Sequence, residues 1–276
     1  MMSRVFGSLS SIHIPEPLRY PLYGTWAWVF NSDLSACKYP LHTYQSLQEF
    51  FTRPLYKDSR PISQTDIISP SDGVITVFGR VSPQGRLDQV KGVSYRLSSF
   101  LRCQPQPVSE HNNLYYAVIY LGPGDYHRIH SPSEWTLCNR AHIPGDLFPV
   151  NPSIVKYVPA LFSLNERVVL TGNWRHGFFS LTAVGAYNVG SIYFNFDSDL
   201  QTNSDKFPAS VDSNGKATVY SKNLGSFPAQ SGDELGRFML GSTVVLVWEA
   251  PNFEFSVKTG QLVKMGQELG STITTI

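Results

Sequence analysis

The amino-acid sequence predicts an α+β fold, in which N-terminal amphipathic helices precede a mostly antiparallel β domain. Beyond residue 66, short runs rich in β-branched and aromatic residues recur, and Gly, Pro, Asn or Asp separates most of them. In the first fifty residues, apolar side chains instead recur at every fourth position. This change of period predicts a division into an N-terminal helical segment, 1–60, and a β-rich domain, 61–276.

The N-terminal segment is expected to contain two helices. The apolar side chains of the first would form one stripe: Leu18, Leu22, Trp26 and Phe30. Pro21 favours a start near Leu22, because proline lacks the N–H that a helix interior uses. A second helix is expected over residues 44–51. The stripe has two open interpretations: it packs on the domain core, or it anchors the segment at a membrane interface, with Trp26 and Trp28 at headgroup depth.

Strand-like runs follow one another through the β-rich domain. They are Ile68, 74–78, 114–120, 178–184, 191–196 and 244–248. Residues 200–233 are polar, with clusters of Ser, Asn, Asp and Gly, and they predict a long loop or mobile segment.

Composition and charge narrow the classes of partner. The chain carries 22 basic and 21 acidic residues, for a net charge of +1, so no nucleic-acid partner is expected. Charged residues make up 16% of the chain and aromatic residues 13%. A low charge content with many rings fits a protein that touches lipid, and it fits a β-rich enzyme equally well.

The cysteines and the hydropathy pattern bear on disulfide formation, zinc binding and attachment to a membrane. Three widely spaced cysteines without a CxxC pair predict neither a disulfide framework nor a zinc knuckle: Cys37, Cys103 and Cys138. No run approaches the roughly 18 to 20 apolar residues that span a bilayer, and residues 1–11 lack the apolar region of a signal peptide. If the protein works at a membrane, we expect it to lie on the surface or to be held by an anchor outside this chain.

Ser242 is the first candidate for chemistry, because it follows Gly241 at the start of a β-branched run. A serine hydroxyl attacks only when a base takes its proton, and a glycine without Cβ leaves its carbonyl open. Attack of the Ser242 Oγ on the Gly241 carbonyl would give an ester. Elimination from that ester would leave dehydroalanine, which hydrolyses to a pyruvoyl group and ammonia. Gly-Ser pairs are common, however, and a buried serine at a strand edge is the ordinary interpretation.

Two histidines, His127 and His130, follow the run 114–120 and a Gly-Pro-Gly breaker at 122–124. Positions three apart point to opposite faces of a regular strand, so both histidines reach one site only if the chain bends there. A histidine near its ordinary pKa is the natural general base at neutral pH. The competing interpretation of each is a hydrogen-bonded structural histidine.

Asp72 lies in a Ser-Asp-Gly turn that follows Ile67 and Ile68. Aspartate before glycine is a common turn residue. In its functional interpretation, the carboxylate orients a histidine and stabilises the charged form of that histidine.

Three ordered segments resemble the signature segments of the phosphatidylserine decarboxylases. They are Ser69-Pro70-Ser71-Asp72-Gly73, Tyr126-His127-Arg128-Ile129-His130 and Leu240-Gly241-Ser242-Thr243. The family patterns are Ser-Pro-x-Asp-Gly, Tyr-His-x-x-His and Leu-Gly-Ser-Thr, in the same order. Further similar stretches are 50–55, 60–62, 150–152 and 165–168. The resemblance spans residues 14–270 and is greatest to the mitochondrial branch.

The resemblance implies a triad of Asp72, His130 and Ser242 for self-cleavage of the Gly241–Ser242 bond. His130 would take the Ser242 proton, and Asp72 would hold the tautomer of His130. His127 would serve decarboxylation, by protonating the carbon that loses carbon dioxide.

The resemblance also implies a function for the two regions. Cleavage would give a β chain, 1–241, and an α chain, 242–276, that remain associated. Ser242 would become a pyruvoyl cofactor, without a metal, and this cofactor would accept the electrons released as phosphatidylserine becomes phosphatidylethanolamine. Residues 61–276 would form the catalytic domain, and residues 1–60 would associate with the membrane surface. The expected location is the mitochondrial inner membrane, with the protein peripheral or held by an anchor absent from this chain.

Two other classes of protein remain open. Residues 258–270 resemble hairpins of lipoyl-type carriers and of lysostaphin-type zinc peptidases. A zinc hydrolase could use His127, His130 and Asp72 as ligands, although those peptidases use a His-x-His pair and the spacing here is His-x-x-His. The other class is a non-catalytic lipid-binding module, which would remain one uncut chain.

Overall fold

The computed structural model describes residues 10–90, 93–105, 107–155, 157–186, 191–204, 206–209, 218–239 and 242–273. Its helices are α1 Glu16–Phe30, α2 Leu47–Phe51, α3 Leu97–Leu101, α4 Pro152–Val155 and α5 Leu161–Leu164, with a 3₁₀ turn at Leu41–Thr43. Its first eight strands are β1 Ile67–Ile68, β2 Gly73–Arg80, β3 Arg86–Val90, β4 Val93–Arg96, β5 Asn113–Leu121, β6 Arg128–His130, β7 Trp135–Ile143 and β8 Arg167–Trp174. The others are β9 Gly177–Val184, β10 Ile192–Phe194, β11 Tyr220–Ala229, β12 Glu234–Phe238, β13 Ser242–Ala250, β14 Phe253–Phe255, β15 Leu262–Val263 and β16 Glu268–Thr272.

A main sheet of eight antiparallel strands organises the described residues, in the order β11-β7-β8-β9-β13-β5-β2-β15. Three smaller sheets accompany it: β10-β12-β6, β1-β16-β14 and β3-β4. The predicted α+β class, with a mostly antiparallel β domain, is therefore confirmed.

Strand β13 lies near the middle of the main sheet and is buried at all nine positions. Val244 and Leu246 belong to an apolar cluster on one face, which includes residues of the β6, β10 and β12 strands. Val245 and Val247 belong to a second cluster on the other face, which includes residues of α2, α3 and α5. A strand covered on both faces has no polar side, which explains why 244–248 is a continuous apolar run.

Helix α1 starts earlier than predicted and runs through Pro21. Pro17 and Pro21 are both exposed, so water can satisfy the carbonyl that lacks a helical donor. Tertiary contacts stabilise the early turns: the Arg19 guanidinium donates to Ile14 O and to His42 O, at 2.8 and 2.7 Å. The predicted start near Leu22 was wrong, because these contacts outweigh the cost of one missing hydrogen bond.

The buried face of α1 consists of Arg19, Tyr23 and Ala27. Of the predicted apolar stripe, only Trp26 is half-buried, and three members are exposed: Leu18, Leu22 and Phe30. Trp28 is 83% exposed. The stripe therefore lies mostly in solvent instead of forming the side that packs.

Strand β11 corrects the prediction of a long loop or mobile segment over residues 200–233. It is a ten-residue edge strand that pairs with β7, from Tyr220 opposite His142 to Ala229 opposite Trp135. Polar residues are expected in such a strand because much of it faces water. Among the described residues, no helix is both long and apolar enough to cross a bilayer.

Candidate active site

The first two motifs are joined by backbone hydrogen bonds. The N–H of Ile68 donates to Pro132 O, and the N–H of His130 donates to Pro70 O, both at 2.8 Å. The turn that carries Asp72 is thereby placed against strand β6. Gly73 follows Asp72 because a Cβ at this position would collide with the carbonyl of Tyr120 on β5.

The second and third motifs meet because two connections run between the same pair of sheets. Strands β5 and β13 pair in the main sheet, with Leu121 opposite Ser242, and β6 and β12 pair in a smaller sheet. The chain passes from β5 to β6 through His127, and from β12 to β13 just before Ser242. The N–H of Phe238 donates to His127 O at 2.9 Å. His127 is thus bonded to the residue four positions before Ser242.

Ser242 begins β13 and is fully buried. Alternation along the strand places it on the same face as Val244, the face whose apolar cluster includes Ile129 between the two histidines. Among the described residues, its Oγ has no hydrogen-bond partner. Gly241, the other half of the predicted cleavage site, lies outside the described residues.

His127 is fully buried with one ring nitrogen bonded. Nδ1 lies 2.7 Å from Asp125 O; a carbonyl only accepts, so Nδ1 carries the hydrogen and Nε2 carries the lone pair. Nε2 has no partner among the described residues. Burial lowers the pKa of His127 to about 3, and the charge of Arg53 adds to this effect. His127 is therefore a neutral base with a free lone pair.

His130 is buried with both ring nitrogens bonded. Nδ1 donates to Gly232 O at 2.8 Å, so Nε2 accepts the hydrogen of the Tyr126 hydroxyl at 2.9 Å. Burial lowers the pKa of His130, and this side chain is also neutral near pH 7. The Tyr126 hydroxyl therefore occupies the nitrogen that a base would use.

Asp72 is bonded to groups other than His130. Its carboxylate accepts two bonds from the Arg60 guanidinium, at 3.0 and 2.6 Å, and one from the Met265 N–H at 2.8 Å. The expected contact by which Asp72 holds the tautomer of His130 is made instead by Gly232 O, because Arg60 draws the carboxylate into a bidentate pair. Asp72 still acts on His130 through space, since its charge favours the protonated imidazole.

The sequence of the chain is similar to those of a known protein family. A sequence profile described as phosphatidylserine decarboxylase matches residues 47–271. The chain belongs to the phosphatidylserine decarboxylase family. One relative, the "Phosphatidylserine decarboxylase proenzyme, mitochondrial" of Cricetulus griseus, is 44% identical over 98% of this chain and 71% of its own length. The protein of the same name from Rattus norvegicus is 45% identical, over 98% and 72%.

The family likeness extends to fungi. The "Phosphatidylserine decarboxylase proenzyme 1, mitochondrial" of Saccharomyces cerevisiae is 35% identical over 98% of this chain and 71% of its own length. Membership of the decarboxylase family removes the need for either alternative class considered from the sequence. Among the described residues, no group of three or more His, Cys, Asp or Glu side chains is placed to hold a metal ion.

A cavity of about 490 Å³ opens beside the decarboxylase motifs. Its walls include Asp72 and Tyr126 from the first two motifs. The Gly122–Asp125 turn, the end of α1 and the hairpin between β15 and β16 complete it, through Phe30, Asp33 and Lys264 among others. Residues from the start, the middle and the end of the chain therefore line one opening.

Helix α1 and Arg53, which follows α2, hold the Gly122–Asp125 turn that precedes the two histidines. Trp26 Nε1 donates to Pro123 O at 3.2 Å, and Arg53 Nη2 donates to Gly124 O at 3.0 Å. Gly124 packs so closely on Phe30 that a Cβ would collide with the Phe30 carbonyl. The N-terminal helix thus contacts the candidate active site directly.

Sequence reasoning assigned no role to three groups that the structure places in the site: Arg60, Tyr126 and Gly232 O. Tyr126 and Arg60 lay within stretches already similar to the family, so their positions were a usable signal. Gly232 acts through its backbone carbonyl, from a polar segment predicted as a loop, and no side chain marks such a contact.

Proposed function

We propose that this protein converts phosphatidylserine to phosphatidylethanolamine, after cutting its own Gly241–Ser242 bond and turning Ser242 into a pyruvoyl group. One observation supports the proposal: Asp72, His127 and Ser242, from segments far apart in the chain, all lie near the same end of strands β2, β5 and β13. The relatives' names support it, since each is a phosphatidylserine decarboxylase proenzyme.

The surroundings of Ser242 fit a pyruvoyl group. The Ser242 Oγ has no partner among the described residues, so replacing the hydroxyl would break no hydrogen bond. His127 Nε2 also has none and lies at the same end of the sheet. The chemistry such a group supplies is a carbonyl that takes up the substrate amine and accepts the electron pair released with carbon dioxide.

In maturation, His130 is the proposed base and acid. His130 Nε2 takes the Ser242 Oγ proton, Oγ adds to the Gly241 carbonyl, and the proton passes to the Ser242 nitrogen as the peptide C–N bond breaks. Tyr126 must first yield Nε2, which its hydroxyl occupies in the present structure. The negative charge of Asp72 would stabilise the imidazolium that forms, and Gly232 O would keep Nδ1 protonated throughout.

In turnover, His127 is the proposed proton carrier. Because burial lowers the pKa of His127 to about 3, its free Nε2 can accept the ammonium proton only while the substrate carboxylate lies beside it and stabilises the imidazolium. The low pKa of His127, about 3 from burial, makes the resulting imidazolium a strong acid. It can then deliver the proton to the carbon that has lost carbon dioxide, and the bond to Asp125 O keeps the ring in place.

The α and β chains are proposed to remain together after cleavage. Strand β13 pairs with β5 along its whole length and with β9 over six residues. Strands β15 and β16 pair with β2 and β1. Cleavage before Ser242 leaves the strand pairing from Thr243 onward intact.

The substrate is a lipid, so we propose that the chain works on a membrane surface. The apolar side chains exposed on α1 support this, above all Leu22 and Trp28. The division into a membrane-associating segment, 1–60, and a catalytic domain, 61–276, belongs to the same proposal. The relatives are named mitochondrial, and the inner membrane of mitochondria is the proposed location.

Intact-mass measurement of purified protein tests the proposal. The expected result is two fragments that meet between residues 241 and 242, with an α chain whose mass shows the conversion of serine to pyruvoyl and whose N-terminus resists sequencing. Release of carbon dioxide from phosphatidylserine should accompany the cut. A single unmodified chain with full activity would contradict the proposal.

Liposome binding tests the membrane surface. Trp26 is a poor choice, because it packs on Phe51 and bonds to Pro123 O. Replacing Leu22 and Trp28 with Ser removes only exposed side chains, and each contributes about 1.5 to 3 kcal/mol when buried in lipid. The double variant should bind vesicles much more weakly yet still cut itself; unchanged binding would exclude this face.

A further inference from the structure

The residues that line the cavity beside the motifs become more exposed from its floor to its opening. Its deep residues are almost fully buried: Arg53, Arg60, Asp72 and Tyr126. Its outer residues are exposed, with the Lys264 and Asp33 side chains at 59% and 38% and Leu262 at 72%. The opening therefore runs from a charged, buried floor to an exposed rim.

Among the cations that line this cavity, Lys264 has the partner that is easiest to replace. Arg60 forms a bidentate pair with Asp72, and Arg53 donates to the carbonyls of Phe50 and Gly124. Lys264 pairs with Asp33 at 3.2 Å, across the rim and in contact with water. Exposed ion pairs of this kind are weak, so an incoming anion can displace Asp33.

The rim is apolar where it meets the outside. Leu262, two residues before Lys264, and Phe30, at the end of α1, flank the opening and are both exposed. Phe30 belongs to the same helix as the exposed Trp28. An amphiphile would meet apolar side chains first, then the Lys264 ammonium, then the buried charged floor.

We infer that Lys264 determines specificity by binding the phosphodiester of the lipid substrate at the cavity rim. This inference rests on the proposed function, because it assumes that the serine headgroup reaches the floor beside Asp72 and Tyr126. In phosphatidylserine the phosphorus lies three bonds from the α-carbon, on the side toward the acyl chains. A lysine at the rim matches that order.

Inhibition of the mature enzyme by two soluble probes tests the inference. One probe is a dihexanoyl phosphodiester lipid with an ethanol headgroup, and the other is O-hexyl-serine, which has no phosphate. Substrate is dihexanoyl phosphatidylserine below its micelle concentration, so that membrane binding plays no part. With Lys264→Gln, we expect the phosphodiester probe to bind about tenfold more weakly, as for loss of one charge-assisted hydrogen bond. The KM for substrate should rise similarly, and O-hexyl-serine should bind as before.

Two further variants separate phosphate binding from a structural role. Asp33→Asn breaks the ion pair but keeps the lysine, so the phosphodiester probe should bind at least as tightly as to wild type. Lys258→Gln removes an exposed lysine of the same C-terminal region that does not line the cavity, and it should change neither constant. If Asp33→Asn weakens the probe as Lys264→Gln does, the ion pair is structural and the inference is wrong.

The remaining outcomes also decide. Equal weakening of both probes by Lys264→Gln, or an equal effect of Lys258→Gln, would overturn the inference, as would unchanged constants in Lys264→Gln. If wild-type protein releases no carbon dioxide from phosphatidylserine, the proposed function itself fails. If the wild type is active and Lys264→Gln leaves the constants unchanged, the proposed function stands and only phosphodiester binding by Lys264 is rejected.

Discussion

Strand β13 buries a polar side chain at each of its ends, and the two ends differ in how they satisfy it. At the far end, the Glu249 carboxylate accepts hydrogen bonds from the backbone N–H groups of Val108 and Phe178, at 2.8 and 3.0 Å, and from Asn112 Nδ2 at 2.7 Å. At the near end, the Ser242 Oγ has no partner among the described residues. Both side chains are fully buried.

The two ends show the difference between a buried polar side chain that stabilises the fold and one that is available for chemistry. Glu249 ties the loop before β5 and the start of β9 to the sheet, and a buried carboxylate with several donors serves that purpose. The Ser242 Oγ has no such bond among the described residues, and the strand that precedes Ser242 in the chain is bonded to His127 through the Phe238 N–H. An unpartnered hydroxyl is no signal by itself, because Ser180 on β9 is equally buried and equally unpartnered. The meeting of the motifs distinguishes Ser242.

The largest expected effect is at the near end. Ser242→Ala should remain one uncut chain with no decarboxylase activity, because the nucleophile and the cofactor precursor are both lost. Ser180→Ala is the matched control and should cut normally. The extent of cleavage is measured on a denaturing gel. If Ser242→Ala and Ser180→Ala were cut to the same extent, the distinction between the two serines would be wrong.

His130 and His127 are proposed to act in different steps, His130 in self-cleavage and His127 in decarboxylation. His130→Ala and Asp72→Asn should accumulate precursor, because proton removal from Ser242 is impaired. His127→Ala should cut substantially but decarboxylate about 100-fold more slowly or worse, the usual loss for a missing general acid–base. The measurements are the cut fraction and the rate per cut molecule. Equal processing defects in both histidine variants would reject this division.

At the far end, the expected effect is on stability. Glu249→Ala, made in the uncut Ser242→Ala background, should lower the free energy of unfolding by about 3 kcal/mol or more, because several buried donors lose their acceptor. Urea unfolding measures the change. A loss below about 0.5 kcal/mol, the range of ordinary surface changes, would mean that the carboxylate does not hold the loop.

The smallest expected effect is on pH dependence. Burial lowers the pKa of His127 from 6.5 to about 3, so the unfolded chain binds the proton first. The contribution to stability is present above pH 6.5 and is lost as pH falls from 6.5 toward 3, by about 1.4 kcal/mol per unit. In the Ser242→Ala background, His127→Gln should remove this part of the slope between pH 6.5 and 5. Equal slopes would show that His127 is not buried as a neutral base.

Local pattern alone predicted much of the fold. The apolar run 244–248 lies within β13, and the second helix expected over residues 44–51 is the shorter α2, Leu47–Phe51. The structure adds its cap: the Ser46 hydroxyl accepts from the Glu49 N–H, and the Glu49 carboxylate accepts from the Gln45 N–H. The polar strand β11 and the passage of α1 through Pro21 could not be predicted in this way. Their stability comes from partners far away in the chain, the β7 edge and the contacts of Arg19.

The sequence by itself determined the family and the residues proposed for the chemistry, because motif order and residue type are properties of the chain. Ser242, His127, His130 and Asp72 were all named from it. Only the tertiary structure decided which ring nitrogen of each histidine carries the hydrogen, that of the two only His127 has an unbonded nitrogen among the described residues, and which groups hold Asp72. Those facts depend on a backbone carbonyl at Gly232, a guanidinium at Arg60 and the depth of burial, and each arises where distant segments pack together.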